Sequence, residues 1–174
     1  MTANEFPRPI KLDALGTAPR DFRFAATPEE CAAVARRFDL ISIGTLALSA
    51  AAHRDGTSVF AEGRVLADVV QACVATGEPI AAHVDAPFSL RFVPESAGEP
   101  AEEVELSDAD CDTLTYAGSD VDLGEAAAET LLLALDPFPR SAHAEEVLRA
   151  RGVVEESDIG PFAALKALKD KLGK

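Results

Sequence analysis

No run of about 18 apolar residues that could span a bilayer occurs in the chain. Its start, MTANEFPRPIKLDAL, lacks the apolar stretch that follows a basic one in a secretory leader. Both absences predict a cytoplasmic protein that keeps off membranes. Cysteine is scarce: Cys31, Cys73 and Cys111 are far apart, with no CxxC or CxH pairing, which argues against a disulfide framework or a zinc ribbon and for small buried thiols. Catalytic signatures are missing as well, since no GxSxG, Walker loop, HExxH or dinucleotide glycine pattern is present. His53, His83 and His143 are scattered surface residues. Asp108, Asp110 and Asp112 imitate the start of a calcium loop, but Thr113 stands where the turn needs glycine and Ser119 where a bidentate Glu belongs.

The scarcity that says most is of positive charge in one segment. Residues 1–94 carry nine basic and eleven acidic groups and residues 147–174 carry six and four, whereas residues 95–146 carry fifteen acidic groups against Arg140 alone. The whole net charge of −14 is thus matched by that middle segment. Nucleic-acid binding relies on Lys and Arg displacing counterions from phosphates, so a long acidic surface opposes it and excludes DNA as a partner. A basic protein suits this charge better.

What is present reads as an α+β fold, an antiparallel β-meander or partial barrel packed against helices, with an acidic surface loop. Residues 6–14 predict an extended first strand with Ile10 and Leu12 on one side. Thr27-Pro28-Glu29-Glu30 supplies an N-cap, a proline at the first helical position and a capping-box Glu, so a helix follows to about Phe38. From Leu40 to Pro94 the apolar period becomes two, with a bulge at Gly44-Thr45, a hairpin at Asp55-Gly56 and a turn at Thr76-Gly77-Glu78-Pro79. Ile80, Ala82, Val84, Ala86, Phe88, Leu90 and Phe92 alternate strictly, and Pro87 between them marks a bulge or an edge. Residues 94–110 are a polar, acidic loop, and Thr113–Ala117 a short strand returning to the sheet. Asp122 and Glu125 have capping-box spacing ahead of a helix running to Leu135, whose last turns, widened by Leu132 and Leu133, predict burial on most sides. Pro137 stops it. Ser141 is expected to cap a short helix to about Arg151. Residues 1–151 are expected to form one domain, and 152–174 a linker and an amphipathic basic helix.

Taken in order, RPIKL at 8–12, ACVATGEPI at 72–80, Tyr116, Asp122-Leu123, Glu129, LLLALDPFPR at 131–140 and PFAALKALK at 161–169 resemble the YceD family, the large ribosomal RNA subunit accumulation proteins. The resemblance implies a non-enzymatic factor, without cofactor, needed for large-subunit ribosomal RNA to accumulate. Members are often encoded beside a small basic ribosomal protein. Many relatives have CxxC where this chain has Cys73-Val74-Ala75-Thr76, so a metal site does not carry over.

Charge and resemblance together predict that Asp122, Glu125, Glu129 and Asp136 face a basic large-subunit ribosomal protein. Phe138, held between prolines and followed by Arg140, forms a stiff apolar hook. Phe162, Lys166 and Lys169 lie on a tail helix able to occupy a groove or touch large-subunit RNA or its precursor particle. Two rival readings remain open: an RNA-acting metal-dependent hydrolase using Asp108, Asp110 and Asp112, and a barrel that binds a small apolar ligand.

Overall fold

The computed structural model describes residues 4–95 and 112–153, which build an α+β fold of seven strands and three α-helices among the described residues. The chain divides into two compact units. Of the described residues, 4–71, 81–95 and 112–137 belong to the first and 72–80 and 138–153 to the second.

Five strands form the main sheet of the first unit: β2 (Arg20–Ala25), β3 (Ser42–Asp55), β4 (Ser58–Ala72), β5 (Pro79–Pro94) and β6 (Asp112–Tyr116), in the spatial order β2-β3-β4-β5-β6. Among the described residues β2 and β6 are the outer members, so the sheet is open and no barrel closes. In β3 the register slips between Ile43 and Thr45, leaving Gly44 as the extra residue of the bulge. Asp55 pairs with Ser58 across the hairpin tip. Strict alternation in β5 buries Val84, Ala86, Leu90 and Phe92 on one face, together with Leu46, Leu48, Val65 and Val69 of β3 and β4. The opposite face is wet, carrying the Arg64–Asp85 ion pair and a His83–Asp68 hydrogen bond, each at 2.7 Å.

Two features depart from the expected meander. Strand β2 has little sequence signal: only Phe22 and Phe24, both half-buried, mark its inner side. Strand β6 does return to the sheet, but parallel to β5, with Leu90 opposite Asp112 and Pro94 opposite Tyr116. A parallel neighbour needs a long connection rather than a hairpin, and the chain between Pro94 and Asp112 provides it. Pro87 falls before the paired stretch Leu90–Pro94, in the part of β5 that β6 does not bond. The acidic loop itself lies outside the described residues.

Helix α1 (Pro28–Arg37) has the full capping box, with the Thr27 hydroxyl accepting from Glu30 N–H and the Glu30 carboxylate from Thr27 N–H. It buries Cys31, Val34 and Ala35 against the sheet core. The first strand is shorter than expected: β1 (Pro9–Lys11) gives way to a single 3-10 turn at Leu12–Ala14. β1 pairs antiparallel with β7 (Asp120–Asp122), so Ile10 meets Val121 and both are buried. Helix α2 (Leu123–Ala134) follows at once.

In the second unit the turn after β4 closes by Cys73 N–H donating to Glu78 O and Gly77 N–H to Cys73 O, both at 2.8 Å. Val74 N–H donates to Pro139 O at 2.9 Å, which fixes the buried Pro139 to that turn. Helix α3 (Ala144–Ala150) is capped at His143 with no side-chain bond. The expected Ser141 cap is absent because Ser141 sits two residues ahead of the cap position: its carbonyl accepts from Ala144 N–H, and its own N–H donates to Cys73 Sγ at 3.3 Å.

Candidate functional site

Helix α2 starts where an aspartate can satisfy orphan amides. The Asp122 Oδ1 accepts from Gly124 N–H at 2.9 Å and Glu125 N–H at 3.2 Å. The same carboxylate takes Arg8 N–H at 2.8 Å and Asn4 Nδ2 at 2.6 Å, so it also ties the N-terminal segment to the helix. Gly124 makes that approach possible, since a Cβ there would lie 1.7 Å from Phe6 O. Asp122 therefore serves the chain's own backbone.

Glu125 differs from the capping-box expectation. Instead of reaching back to the cap, its carboxylate takes a two-pronged bond from Arg37 of α1, with Nη1 at 2.8 Å from Oε2. Arg37 also meets Glu5 at 3.1 Å. The bond to Glu125 is the main reason the guanidinium pKa is pushed further up, with Glu5 adding to it and burial opposing it. A fork of five fixed donors outcompetes one backbone amide for a carboxylate. Nearby, Arg8 forms a similar fork with Glu30 at 2.8 Å, which holds the Glu30 carboxyl below its usual range.

One turn along, Glu129 has no ion-pair partner among the described residues. Although the residue as a whole is exposed, loss of solvent around its carboxyl, and then the Glu125 charge, push its pKa up; Arg37 offsets part of this. Glu129 borders two grooves. One, of about 520 Å³, runs between α2 and the start of the β5–β6 pair, lined by Phe88, Asp112, Leu114, Ala126, Glu129 and Leu133 among others. The other, of about 420 Å³, holds Asp120, Asp122, Glu125 and Glu129 beside Phe92 and Tyr116. Gly63 leaves room for the Phe88 ring, since a Cβ there would sit 2.7 Å from it.

The end of α2 is not buried all round as its composition predicts. Leu123, Ala126, Ala127 and Leu131 enter the core, whereas Leu132 is 46% exposed and Leu133 82%. A helix lying on one face of a sheet buries one stripe, and two further leucines fall outside it. Asp136 is exposed, and its carbonyl accepts from Gln71 Nε2 at 2.9 Å.

The remaining candidates belong to the second unit or lie beyond what is described. Phe138 is 70% exposed, and Arg140 is exposed. Phe162, Lys166 and Lys169 lie outside the described residues, as do Asp108 and Asp110. The Cys73 thiol is buried and its pKa is lowered to about 6, chiefly by a bond from the Thr76 hydroxyl, with burial opposing and the Ser141 amide assisting. Among the described residues no group of three or more His, Cys, Asp and Glu side chains is placed to hold a metal ion, and no helix is long and apolar enough to cross a membrane.

The structure thus gathers Asp122, Glu125 and Glu129 on one helix. The groove beside Glu129 and the exposure of Leu133 had no signal in the sequence, because both depend on where β5 and β6 lie against α2. No curated protein and no solved structure matches this chain. The family model described as large ribosomal RNA subunit accumulation protein YceD matches residues 61–169, a span that runs from β4 through α2 and covers more than half of the sequence. On that match, the chain belongs to the YceD family.

Proposed function

We propose that this chain is a non-enzymatic factor of large-subunit ribosome biogenesis that acts by binding, and that its α2 surface holds a basic ribosomal protein of the large subunit. The family description supports a role in accumulation of large-subunit ribosomal RNA. The observation that carries the binding mode is Glu129, an exposed carboxylate at the edge of a groove with no ion-pair partner among the described residues, with Arg37 already committed to Glu125 and Glu5. Such a group is open to an arriving cation at the rim of a concavity, where water screens the pair less than on a flat surface. A net charge of −14 adds steering at a distance, which raises association rates with a basic partner about 10- to 1,000-fold at low salt. Lys and Arg side chains of a free basic protein also bind RNA phosphates without regard to sequence, and an acidic holder would compete with that binding.

Depletion of the protein, followed by sucrose-gradient profiling and quantification of both ribosomal RNAs, tests this. A fall in large-subunit RNA relative to small-subunit RNA is expected. An unchanged ratio removes the proposal, and so does a pull-down that recovers bare ribosomal RNA but no basic ribosomal protein at moderate salt. The hydrolase reading predicts magnesium-dependent RNA cleavage by the purified chain. The apolar-ligand reading predicts that a small apolar molecule binds the purified chain, although the sheet does not close into a barrel.

A further inference from the structure

Resting on the reading above, we infer that the groove between α2 and strands β5 and β6 is the seat for an amphipathic basic segment of that ribosomal protein, with a Lys or Arg reaching Glu129 and an apolar side chain beside it packing on Leu133 and Phe88. The groove holds about 520 Å³, within the ~300–1,000 Å³ span of sites that accept several groups at once. Its charge is one-sided: Glu129 and Asp112 line it, and among the described residues no Lys, Arg or His does. Glu125, one turn from Glu129, is already engaged by Arg37. Thr130 offers no competing polar contact through its donor, because its hydroxyl donates to Ala126 O at 2.8 Å.

The apolar half of the seat is equally specific. Leu133 is 82% exposed at the groove's rim, and a leucine left that open at the edge of a concavity is more useful covered than solvated. The β5 wall decides how the partner is held. Pro87 lines the groove and has no N–H, so a partner strand adding to β5 would meet a missing donor there. The occupant is therefore gripped by side chains, in the manner of a helix laid in a groove. Two anchors of opposite character, a carboxylate at one position and an apolar rim one helical turn away on α2, match a segment in which a basic and an apolar residue recur at helical spacing.

The test uses the full chain and basic large-subunit ribosomal proteins, each purified free of RNA and labelled with a fluorophore. Their binding is titrated by anisotropy at physiological salt. Glu129→Gln and Leu133→Ser are compared with wild type and with Glu62→Gln on the wet face of the sheet, all with matched circular dichroism and urea midpoints. For the protein that wild type binds, each groove variant is expected to lose about tenfold in affinity, near 1.4 kcal/mol, while Glu62→Gln stays within about twofold. Hydrogen exchange should slow in residues 126–134 when the partner is added.

Equal affinity of wild type and both groove variants overturns the groove but leaves the binding reading in place. Failure of wild type to bind any of these proteins removes that reading and the groove with it. Protection of residues 126–134 that is already maximal in the free chain and unchanged by partner also overturns it, because the seat is then filled by the chain's own tail or a second copy.

Discussion

Asp122→Ala offers the sharpest test of how α2 is held. The wild-type carboxylate accepts from four nitrogens, those of Asn4, Arg8, Gly124 and Glu125, at 2.6 to 3.2 Å. Loss of an N-cap alone costs about 0.5–2 kcal/mol. Bonds to a charged acceptor are worth about 1.5–3 kcal/mol each, and those sharing one carboxylate do not add fully. A loss of about 3–4 kcal/mol follows, which for a chain of this size lowers Tm by about 10 °C. Asp122→Asn keeps an oxygen at the cap but sets an amide against the Asn4 donor, so it should lose less than half as much. Urea and thermal unfolding followed by circular dichroism measure both. The second readout is binding of the basic partner well below Tm, which should change less than about threefold, because this carboxylate is already engaged by the chain itself. A destabilisation by Asp122→Ala below about 1 kcal/mol would falsify the staple. A tenfold loss of binding by the still-folded variant would show that Asp122 belongs to the interface instead.

Gly124→Ala should be worse tolerated than most surface changes: its Cβ would overlap Phe6 O at 1.7 Å, and displacing the N-terminal segment should cost about 1–3 kcal/mol in a urea titration. Phe138→Ala, at a side chain 70% exposed, should leave stability within about 0.5 kcal/mol and weaken capture of the partner; a collapse of stability would place that ring in a core. Acid should act on function before fold. The folded pKa of Glu129 is raised above its ordinary 4.5 by partial burial and by Glu125, with Arg37 opposing and Asp112 lining the same groove. The ionised form is thus penalised in the folded chain above that raised pKa, and the penalty fades as pH falls through it. Stability therefore gains from its protonation, whereas partner affinity falls over the same pH range, and Glu129→Gln should remove that component from the affinity profile. Glu30 has the opposite sign: its pKa is lowered by Arg8, so its contribution is present above the ordinary 4.5 and is lost as pH falls through the folded value.

The parts of the fold that local chemistry determines were legible in the sequence. Thr27-Pro28-Glu29-Glu30 predicts the start of α1 because every partner in its capping box lies within four residues. The seven-fold alternation of β5 predicts a half-buried strand because one face of the sheet is covered. The parallel pairing of β6 was not legible, since a short strand carries no mark of its direction, and β2 offered only two aromatics two residues apart. Glu125 misleads for a similar reason: its spacing from Asp122 satisfies a local rule, and Arg37, far away in sequence, supplies a stronger bond. Leu132 and Leu133 read as core because a run of apolar residues predicts burial, yet the sheet under α2 covers only one stripe. The site follows the same pattern, in that the acidity of α2 is written in composition, while the groove that Glu129 borders comes from three elements meeting.

The role proposed for the α2 groove of this YceD-family chain, in accumulation of large-subunit RNA, can be read in cells. Complementation measures it most directly: cells depleted of the protein receive either the wild type or a Glu129→Gln, Leu133→Ser double variant shown to fold and accumulate normally, and the ratio of large- to small-subunit ribosomal RNA is read. The wild type is expected to restore the ratio and the double variant to leave it low. Equal restoration by both would contradict that role.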